Sequence, residues 1–138
     1  MAKRILVVDD DLDTREILSL LFRMRGYTVD TAADGEQALR VARGEPPCAI
    51  LLDLMMPVMD GEGFRRAQLA DARLRDIPVV CISGRHDVER TSEVLHFSGW
   101  FNKPLAFQHL VSTIESLCEA GQQCQPAAPG GRDGSFRT

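Results

Sequence analysis

The chain has 138 residues, 44% of them hydrophobic, which is enough for one globular domain with a buried core. Its 16 lysines and arginines are outnumbered by 20 acidic residues, so the net charge is -4. This balance argues against the broad basic surface of most nucleic-acid-binding proteins, and we expect no direct contact with nucleic acid. Only four apolar residues follow the N-terminal "MAKR", too few for a signal peptide or a membrane span. The sequence therefore predicts a cytoplasmic protein without membrane association.

Strand and helix patterns alternate from the start of the chain. The first strand, Ile5–Val8, is followed by a helical apolar pattern that ends with Gly26 in the C-cap position. A second strand covers Tyr27–Ala33, and the helix after it ends at Gly44. This half of the chain thus has the order strand, helix, strand, helix.

The same alternation continues to the end of the predicted domain. A third strand, Cys48–Leu52, precedes a helix that begins after Gly61. A fourth strand, Ile77–Ile82, precedes a helix from about Asp87 to Leu95, and a short fifth strand contains Trp100 and Phe101. The last helix has one apolar stripe, formed by Phe107, Leu110, Val111, Ile114 and Leu117.

Five strands that alternate with five helices predict an α/β fold with a parallel sheet covered on both faces. The first, third and fourth strands are continuous apolar runs, typical of central strands, whereas the second alternates and the fifth is short. These features favour a doubly wound, five-stranded sheet of order 2-1-3-4-5. After Ala120 the chain is rich in Gly, Pro and Gln, so we expect a domain over residues 1–120 and a disordered tail or linker over 121–138.

The four cysteines are Cys48, Cys81, Cys118 and Cys124. They show no CxxC pairing, and the first two lie inside apolar runs, so neither a disulfide framework nor a zinc site is predicted. All except Cys124 are expected to be small buried hydrophobic residues.

Acidic residues follow two strands that the predicted order makes neighbours. Asp9 and Asp10 come directly after the first strand, and Asp53 ends the third. The carboxyl ends of parallel strands meet at one sheet edge, so three carboxylates should converge there, and Mg²⁺ prefers such oxygen clusters. The simpler alternatives are helix capping, for which Asp11 is the best candidate, and a turn role for Asp53.

Two further strand ends carry polar groups. Ser83 ends the fourth strand with a hydroxyl, and the fifth strand leads to Lys103 and its ammonium group. Taken singly, Ser83 could cap the next helix and Lys103 could be a solvated surface charge. The meeting of these groups with the acids at one sheet edge is harder to explain by such separate roles.

These motifs together resemble a known family. "VVDDD", "LLDLMMPVMDG", "ISG" and "NKP", in this order and spacing, are similar to those of the response-regulator receiver domain. The resemblance covers about Lys3–Ala120 and implies the flavodoxin-like receiver fold. Each motif is weak by itself, whereas the combination is highly specific.

The resemblance implies a role for each acid of the cluster. Asp53 would be the phosphoacceptor. Asp10, Asp53 and the backbone carbonyl of Met55 would bind Mg²⁺ directly, and Asp9 would do so mainly through water. The chemistry is consistent, because a carboxylate is a competent nucleophile and phosphoryl transfer depends chiefly on alignment and charge neutralisation.

The resemblance also implies roles at the other strand ends. Ser83 and Lys103 would contact the phosphoryl oxygens, and the bond between Lys103 and Pro104 would be cis. Trp100 stands where the family has an aromatic residue that changes rotamer as the Ser83 hydroxyl moves, so Ser83 and Trp100 would form the switch.

The sequence thus predicts a stand-alone phosphoacceptor of a two-component system or phosphorelay. It would take a phosphoryl group from a phosphohistidine on a sensor histidine kinase or phosphotransfer protein and signal to an unidentified downstream protein. It would not be an enzyme with an external substrate.

The main alternative is the N-terminal receiver of a longer regulator. An aspartyl-phosphate hydrolase of the haloacid dehalogenase type is disfavoured, since Met55 stands where the second acid is needed. A flavodoxin-like nucleotide binder is weaker still, since no GxGxxG is present.

Overall fold

The computed structural model describes residues 3–54, 60–83, 97–103 and 105–123, the side chains of 120–123 excepted. Within these ranges the strands are β1 (Arg4–Val8), β2 (Thr28–Ala32), β3 (Ala49–Asp53), β4 (Val79–Ser83) and β5 (Gly99–Asn102). The helices are α1 (Leu12–Met24), α2 (Gly35–Gly44), α3 (Gly61–Leu69) and α4 (Phe107–Gln123). The helix predicted over Asp87–Leu95 lies outside the described residues.

All four strand pairings are parallel, and the sheet order is β2-β1-β3-β4-β5, as the sequence predicts. Every residue of β3 and β4 is buried, whereas β2 alternates and β5 ends in an exposed Asn102. Continuous apolar runs therefore occupy the centre of the sheet, because both of their faces are covered by helices.

The core consists of two layers, one on each face of the sheet. One cluster packs under α2 and α3 and includes Leu52 and Phe64. The other packs under α1 and α4 and includes Phe22 and Leu110. This three-layer arrangement leaves the carboxyl ends of the strands and their loops as the accessible edge.

Helix ends follow local capping rules. The carboxylates at the N-caps of α1, α2 and α3 accept backbone N–H groups, and these residues are Asp11, Asp34 and Asp60. After α1, Gly26 adopts a positive φ of 94° and donates to the Arg23 carbonyl, while Tyr27 donates to the Phe22 carbonyl. These two bonds form a Schellman motif in which Arg25 is the C-cap, so Gly26 ends the helix as predicted but stands one position after the C-cap.

A buried polar cluster attaches α3 to its surroundings. Arg65 is 6% exposed and donates to Gln68 Oε1 over 2.7 Å, and its guanidinium lies 5.2 Å from the ring centroid of Phe97. Gln68 Nε2 donates to the carbonyls of Leu74 and Ile77 over 2.8 and 3.0 Å. Burial lowers the pKa of Arg65 to about 10. The cluster connects α3 to the segment before β4 and to the segment before β5.

The cysteines differ from the sequence expectation. Cys48 and Cys118 form a disulfide, with 5.3 Å between their Cα atoms, so the prediction that no disulfide is present was wrong. The bond joins residues 70 positions apart, and no local spacing signals such a pair. It arises because the buried stripe of α4 lies over the start of β3. Cys81 is buried on the opposite face, as predicted, and Cys124 lies outside the described residues.

The last helix continues to Gln123, so residues 121–123 of the segment expected to be a tail are helical, and residues 124–138 lie outside the described part. None of the described helices has the length and apolar character needed to cross a membrane.

The start of α3 passes very close to the end of β3. A Cβ atom added to Gly61 would lie 2.6 Å from the Leu54 Cα and 2.8 Å from the Asp53 carbonyl oxygen. The Gly61 N–H also donates to the Leu54 carbonyl over 3.2 Å. Because both close atoms belong to the backbone, they cannot move aside as a flexible side chain would. A side chain at position 61 would therefore push α3 away from the segment that carries Asp53.

We expect Gly61→Ala to lower the free energy of unfolding by about 1–3 kcal/mol, the usual cost of overpacking a closely packed site. Urea denaturation monitored by circular dichroism measures this change. Gly44→Ala is the matched control, because nothing lies within 4 Å of a Cβ added there. It should leave stability unchanged or slightly raised, since alanine favours helices. Equal stability of the two variants would contradict the close-approach argument.

Candidate functional site

Three carboxylates converge at the carboxyl edge of the sheet, where β1 and β3 are neighbours. Asp9, Asp10 and Asp53 each contribute an oxygen, and these oxygens all lie within 4.8 Å of one another. Asp9 is fully buried and Asp53 is 2% exposed, whereas Asp10 is exposed. The predicted convergence of the three acids is confirmed. Two like charges are thus held in a poorly solvated position, which is costly without a compensating cation.

Hydrogen bonds fix the turn that carries the first of these acids. The Asp9 N–H donates to the Ala32 carbonyl over 3.1 Å, and Asp9 Oδ1 accepts the Asp11 N–H over 2.9 Å. The Asp9 carbonyl in turn accepts a hydrogen bond from Arg15 Nη1 over 2.9 Å. These contacts come from β2, from the turn itself and from α1, so the orientation of Asp9 does not depend on a single element.

The third acid of "DDD" has a different role. The Asp11 carboxylate accepts the Thr14 N–H over 3.3 Å and the Thr14 hydroxyl, so it caps α1. The hydrogen bond from the Thr14 hydroxyl is the main cause that lowers the pKa of Asp11. Asp11 is therefore the cap residue, as expected, and Asp9 and Asp10 belong to the cluster.

An ammonium group bridges the two buried acids. Lys103 Nζ lies 3.3 Å from Asp9 Oδ2 and 3.3 Å from Asp53 Oδ2. Burial alone would lower the pKa of Lys103, but the charges of Asp53 and Asp9 outweigh it and raise this pKa above its ordinary value. Lys103 is thus fully protonated at neutral pH. The structure brings it into the cluster, as the strand order predicts, and it is not a solvated surface residue.

The cluster retains a capacity for a further cation. Asp9 Oδ2 is buried, and within the described residues it makes no hydrogen bond, its contact with Lys103 being ionic. Asp10 also adds a third carboxylate beside the two that Lys103 bridges. A hard divalent cation such as Mg²⁺ prefers carboxylate oxygens and would satisfy both features. The residues present therefore fit a metal site of this type.

Two further predicted residues lie in β4 and β5. Ser83 is buried at the end of β4, and its carbonyl accepts the Lys103 N–H over 2.9 Å. Trp100 is half-buried in β5 and packs against the core cluster on the α2 and α3 face. Its Nε1 atom is buried and has no hydrogen-bond partner among the described residues. Met55 and Pro104 lie outside the described residues, so the carbonyl ligand and the cis bond are not visible.

Two supporting residues of the site were not identified from the sequence. Gly61 lies within "LLDLMMPVMDG", but only the packing distances reveal its close approach to the Asp53 backbone. Arg15 resembles any exposed helical arginine in sequence, and its bond to the Asp9 carbonyl depends on how α1 sits on β1. The position of Arg15, one turn after Asp11, is the only sequence signal for its role.

Comparisons with known proteins agree with this geometry. A family model described as the response regulator receiver domain matches residues 5–115. A probable transcriptional regulator, ycf27 of Cyanophora paradoxa, is 38% identical over 117 residues, which are 83% of this chain and 48% of that protein. The transcriptional regulatory protein PrrA of Mycobacterium tuberculosis is 38% identical over 116 residues, 83% of this chain and 49% of PrrA. The chain thus spans about half the length of these curated relatives.

Solved structures show the same similarity. The chemotaxis protein CheY4 of Vibrio cholerae matches with a TM-score of 0.78 and 28% identity, over 85% of this chain and 99% of CheY4. A response regulator from Chloroflexus aurantiacus matches with a TM-score of 0.80 and 25% identity, over 87% of this chain and 100% of that one. With the sheet order, the converging acids and the family match in agreement, the chain belongs to the response regulator receiver family of two-component signal transduction.

Proposed function

We propose that this receiver accepts a phosphoryl group on Asp53 from a phosphohistidine of a sensor histidine kinase or phosphotransfer protein. The observation that carries the proposal is the bridging of the buried Asp9 and Asp53 carboxylates by Lys103 beside the exposed Asp10. Such a site combines a nucleophilic carboxylate with groups that neutralise phosphoryl charge.

In the transfer, a carboxylate oxygen of Asp53 attacks phosphorus while the bond from phosphorus to the imidazole nitrogen breaks. Lys103 provides a fixed positive charge beside the attacking carboxylate, and Ser83 provides a hydroxyl for a phosphoryl oxygen. Asp9, Asp10, Asp53 and the Met55 carbonyl would hold Mg²⁺. When bound, Mg²⁺ neutralises charge on the phosphoryl oxygens and on the clustered carboxylates.

The protein would act as a phosphoacceptor that catalyses only its own phosphorylation and dephosphorylation. It would signal through a changed surface to a downstream protein, and we place it in the cytoplasm, where phosphotransfer from sensor kinases occurs. Direct nucleic-acid contact is not expected from the net charge of -4.

A second candidate is the receiver part of a longer regulator. The curated relatives named above are transcriptional regulators about twice the length of the matching region. In that case residues 121–138 would be a linker to an output domain, and contact with DNA would belong to that domain. The gene sequence beyond Thr138 distinguishes the two candidates.

Phosphorylation at Asp53 is tested with acetyl phosphate and Mg²⁺. Intact-mass spectrometry should show a gain of one phosphoryl group for the wild type and none for Asp53→Asn, since the amide is not a nucleophile. Asp30→Asn is the matched control, because Asp30 lies in β2 and pairs with Arg4 away from the cluster. Labelling of Asp53→Asn at the wild-type level would refute the assignment.

The charges of the cluster also predict that two variants change the melting temperature in opposite directions. In chelator, Asp10→Asn should raise the melting temperature by a few degrees, because it removes repulsion, and it should lose most of the stabilisation by Mg²⁺. Lys103→Met should lower the melting temperature by several degrees, because the buried Asp9 and Asp53 then lose the ammonium group that bridges them. Thermal melts with and without Mg²⁺ measure both. If both variants shift the melting temperature in the same direction, charge interactions within the cluster do not determine its effect on stability.

The stabilisation that Lys103 provides should also depend on pH. The folded pKa of Lys103 is raised, so its stabilising contribution is complete below the unfolded value of about 10.4 and is lost as pH rises through the folded pKa. The difference in melting temperature between wild type and Lys103→Met should therefore be constant near neutral pH and shrink above about pH 10.5. A difference that disappears between pH 6 and 8 would contradict the assignment to Lys103.

Trp100 gives a spectroscopic prediction. Its half-buried indole, with Nε1 unbonded among the described residues, has an environment that a rotamer change can improve. Beryllium fluoride with Mg²⁺, which mimics the phosphorylated carboxylate, should shift its emission to the blue as the indole becomes buried. Asp53→Asn should abolish the shift. An unchanged spectrum in protein saturated with the mimic would show that Trp100 is not part of the switch.

A further inference from the structure

The disulfide lies at the end of the sheet opposite to the acidic cluster. Cys48 directly precedes β3, and Asp53 is the last residue of that strand. At about 3.3 Å per residue, the disulfide is about 16 Å from the phosphoacceptor along the strand. Its other half, Cys118, belongs to α4, close to where this helix ends at Gln123. The bond therefore connects the strand of the phosphoacceptor to the C-terminal part of the last helix.

The two sulfur-bearing residues differ in their accessibility. Cys118 is fully buried in the core cluster under α1 and α4, whereas Cys48 is only partly buried at its margin. Part of Cys48 is thus exposed to solvent and none of Cys118 is, so Cys48 is the residue at which exchange with a small thiol or disulfide would begin. Cys81 is buried in the cluster on the opposite face of the sheet, so the sheet itself separates it from the pair.

The rest of α4 has its own attachments. Leu110 and Ile114 pack in the core, and Glu115 forms an ion pair with Arg25 over 2.9 Å. These contacts precede Cys118, and they do not depend on the disulfide. Reduction would thus leave most of α4 packed on the sheet and release only its C-terminal part, which ends at Gln123.

We propose that Cys48 and Cys118 form a reversible thiol–disulfide site, exchanged by a glutathione-type couple, that secures or releases the end of α4. In the cytoplasm proposed above, permanent disulfides are rare, so a bond with one partly exposed cysteine is suited to exchange. The site goes beyond phosphorylation of Asp53, because it adds a redox input at the opposite end of the fold.

The exchange is balanced in two steps. The Cys48 thiolate attacks glutathione disulfide, forms a mixed disulfide and releases one glutathione thiolate. The Cys118 thiolate then attacks the Cys48 sulfur, forms the internal disulfide and releases the second glutathione. Two electrons pass from the cysteine pair to glutathione disulfide, and the two cysteine protons go to the released thiolates or to water. Reduction follows the reverse path, with the glutathione thiolate attacking the Cys48 sulfur and the Cys118 thiolate leaving.

The first experiment measures the redox equilibrium of the full chain carrying Cys124→Ser, which removes a competing thiol. The protein is equilibrated in glutathione mixtures from mostly reduced to mostly oxidised, alkylated, digested and analysed for the peptide linked through Cys48 and Cys118. We expect the linked fraction to rise from a minority to a majority across the series. A pair that stays reduced in every mixture, or stays linked in the most reducing one, would overturn the proposal.

The second experiment measures amide hydrogen exchange in residues 117–123 of the oxidised and reduced forms, with residues 107–114 as the internal reference. Oxidation should slow exchange at least several-fold in 117–123 and leave 107–114 nearly unchanged. Cys48→Ser should exchange like the reduced form in oxidising buffer, and the control Cys81→Ser should respond like the parent protein. Equal exchange of 117–123 in both forms would refute the release of α4. Neither measurement uses phosphorylation, so the result is independent of the function proposed for Asp53.

Discussion

The main physical constraint on this structure is the electrostatic repulsion between the carboxylates at the ends of β1 and β3. Two of them, Asp9 and Asp53, are nearly inaccessible to water, where unpaired charges are unfavourable. Lys103 offsets part of this cost, and it directly follows β5, which lies two strands away from β3 in the sheet. Neighbouring strands lie about 4.8 Å apart, so only a long side chain can reach across β4 to the acids. The strand order and the lysine are therefore parts of one electrostatic solution.

Hydrogen bonds and close packing also fix the backbone around the cluster. Arg15 and the Ala32 carbonyl fix the turn at Asp9, and Gly61 lets α3 approach the segment after β3 without a side chain between them. A rigid setting suits phosphoryl transfer, which relies on alignment and preorganised charge. At the same time Asp9 Oδ2, which makes no hydrogen bond among the described residues, and the exposed Asp10 offer oxygens that a divalent cation would bind.

The last helix connects the two ends of the molecule. It begins at Phe107, four residues after Lys103, and it is joined through Cys118 to the residue before β3. Lys103 at the carboxyl edge and the disulfide at the opposite end therefore border the same helix.

The amino-acid sequence by itself determined the parallel sheet, its order and the convergence of the acids with Ser83 and Lys103. Hydrophobic periodicity and strand ends are local features, and parallel topology brings such ends together. Tertiary structure alone decided the disulfide, the burial of Arg65 on Phe97 and the close contact at Gly61. These features join segments distant in sequence, and each depends on helix placement to within a few ångströms. Periodicity identifies the face that a helix buries but does not specify which atoms meet beneath it.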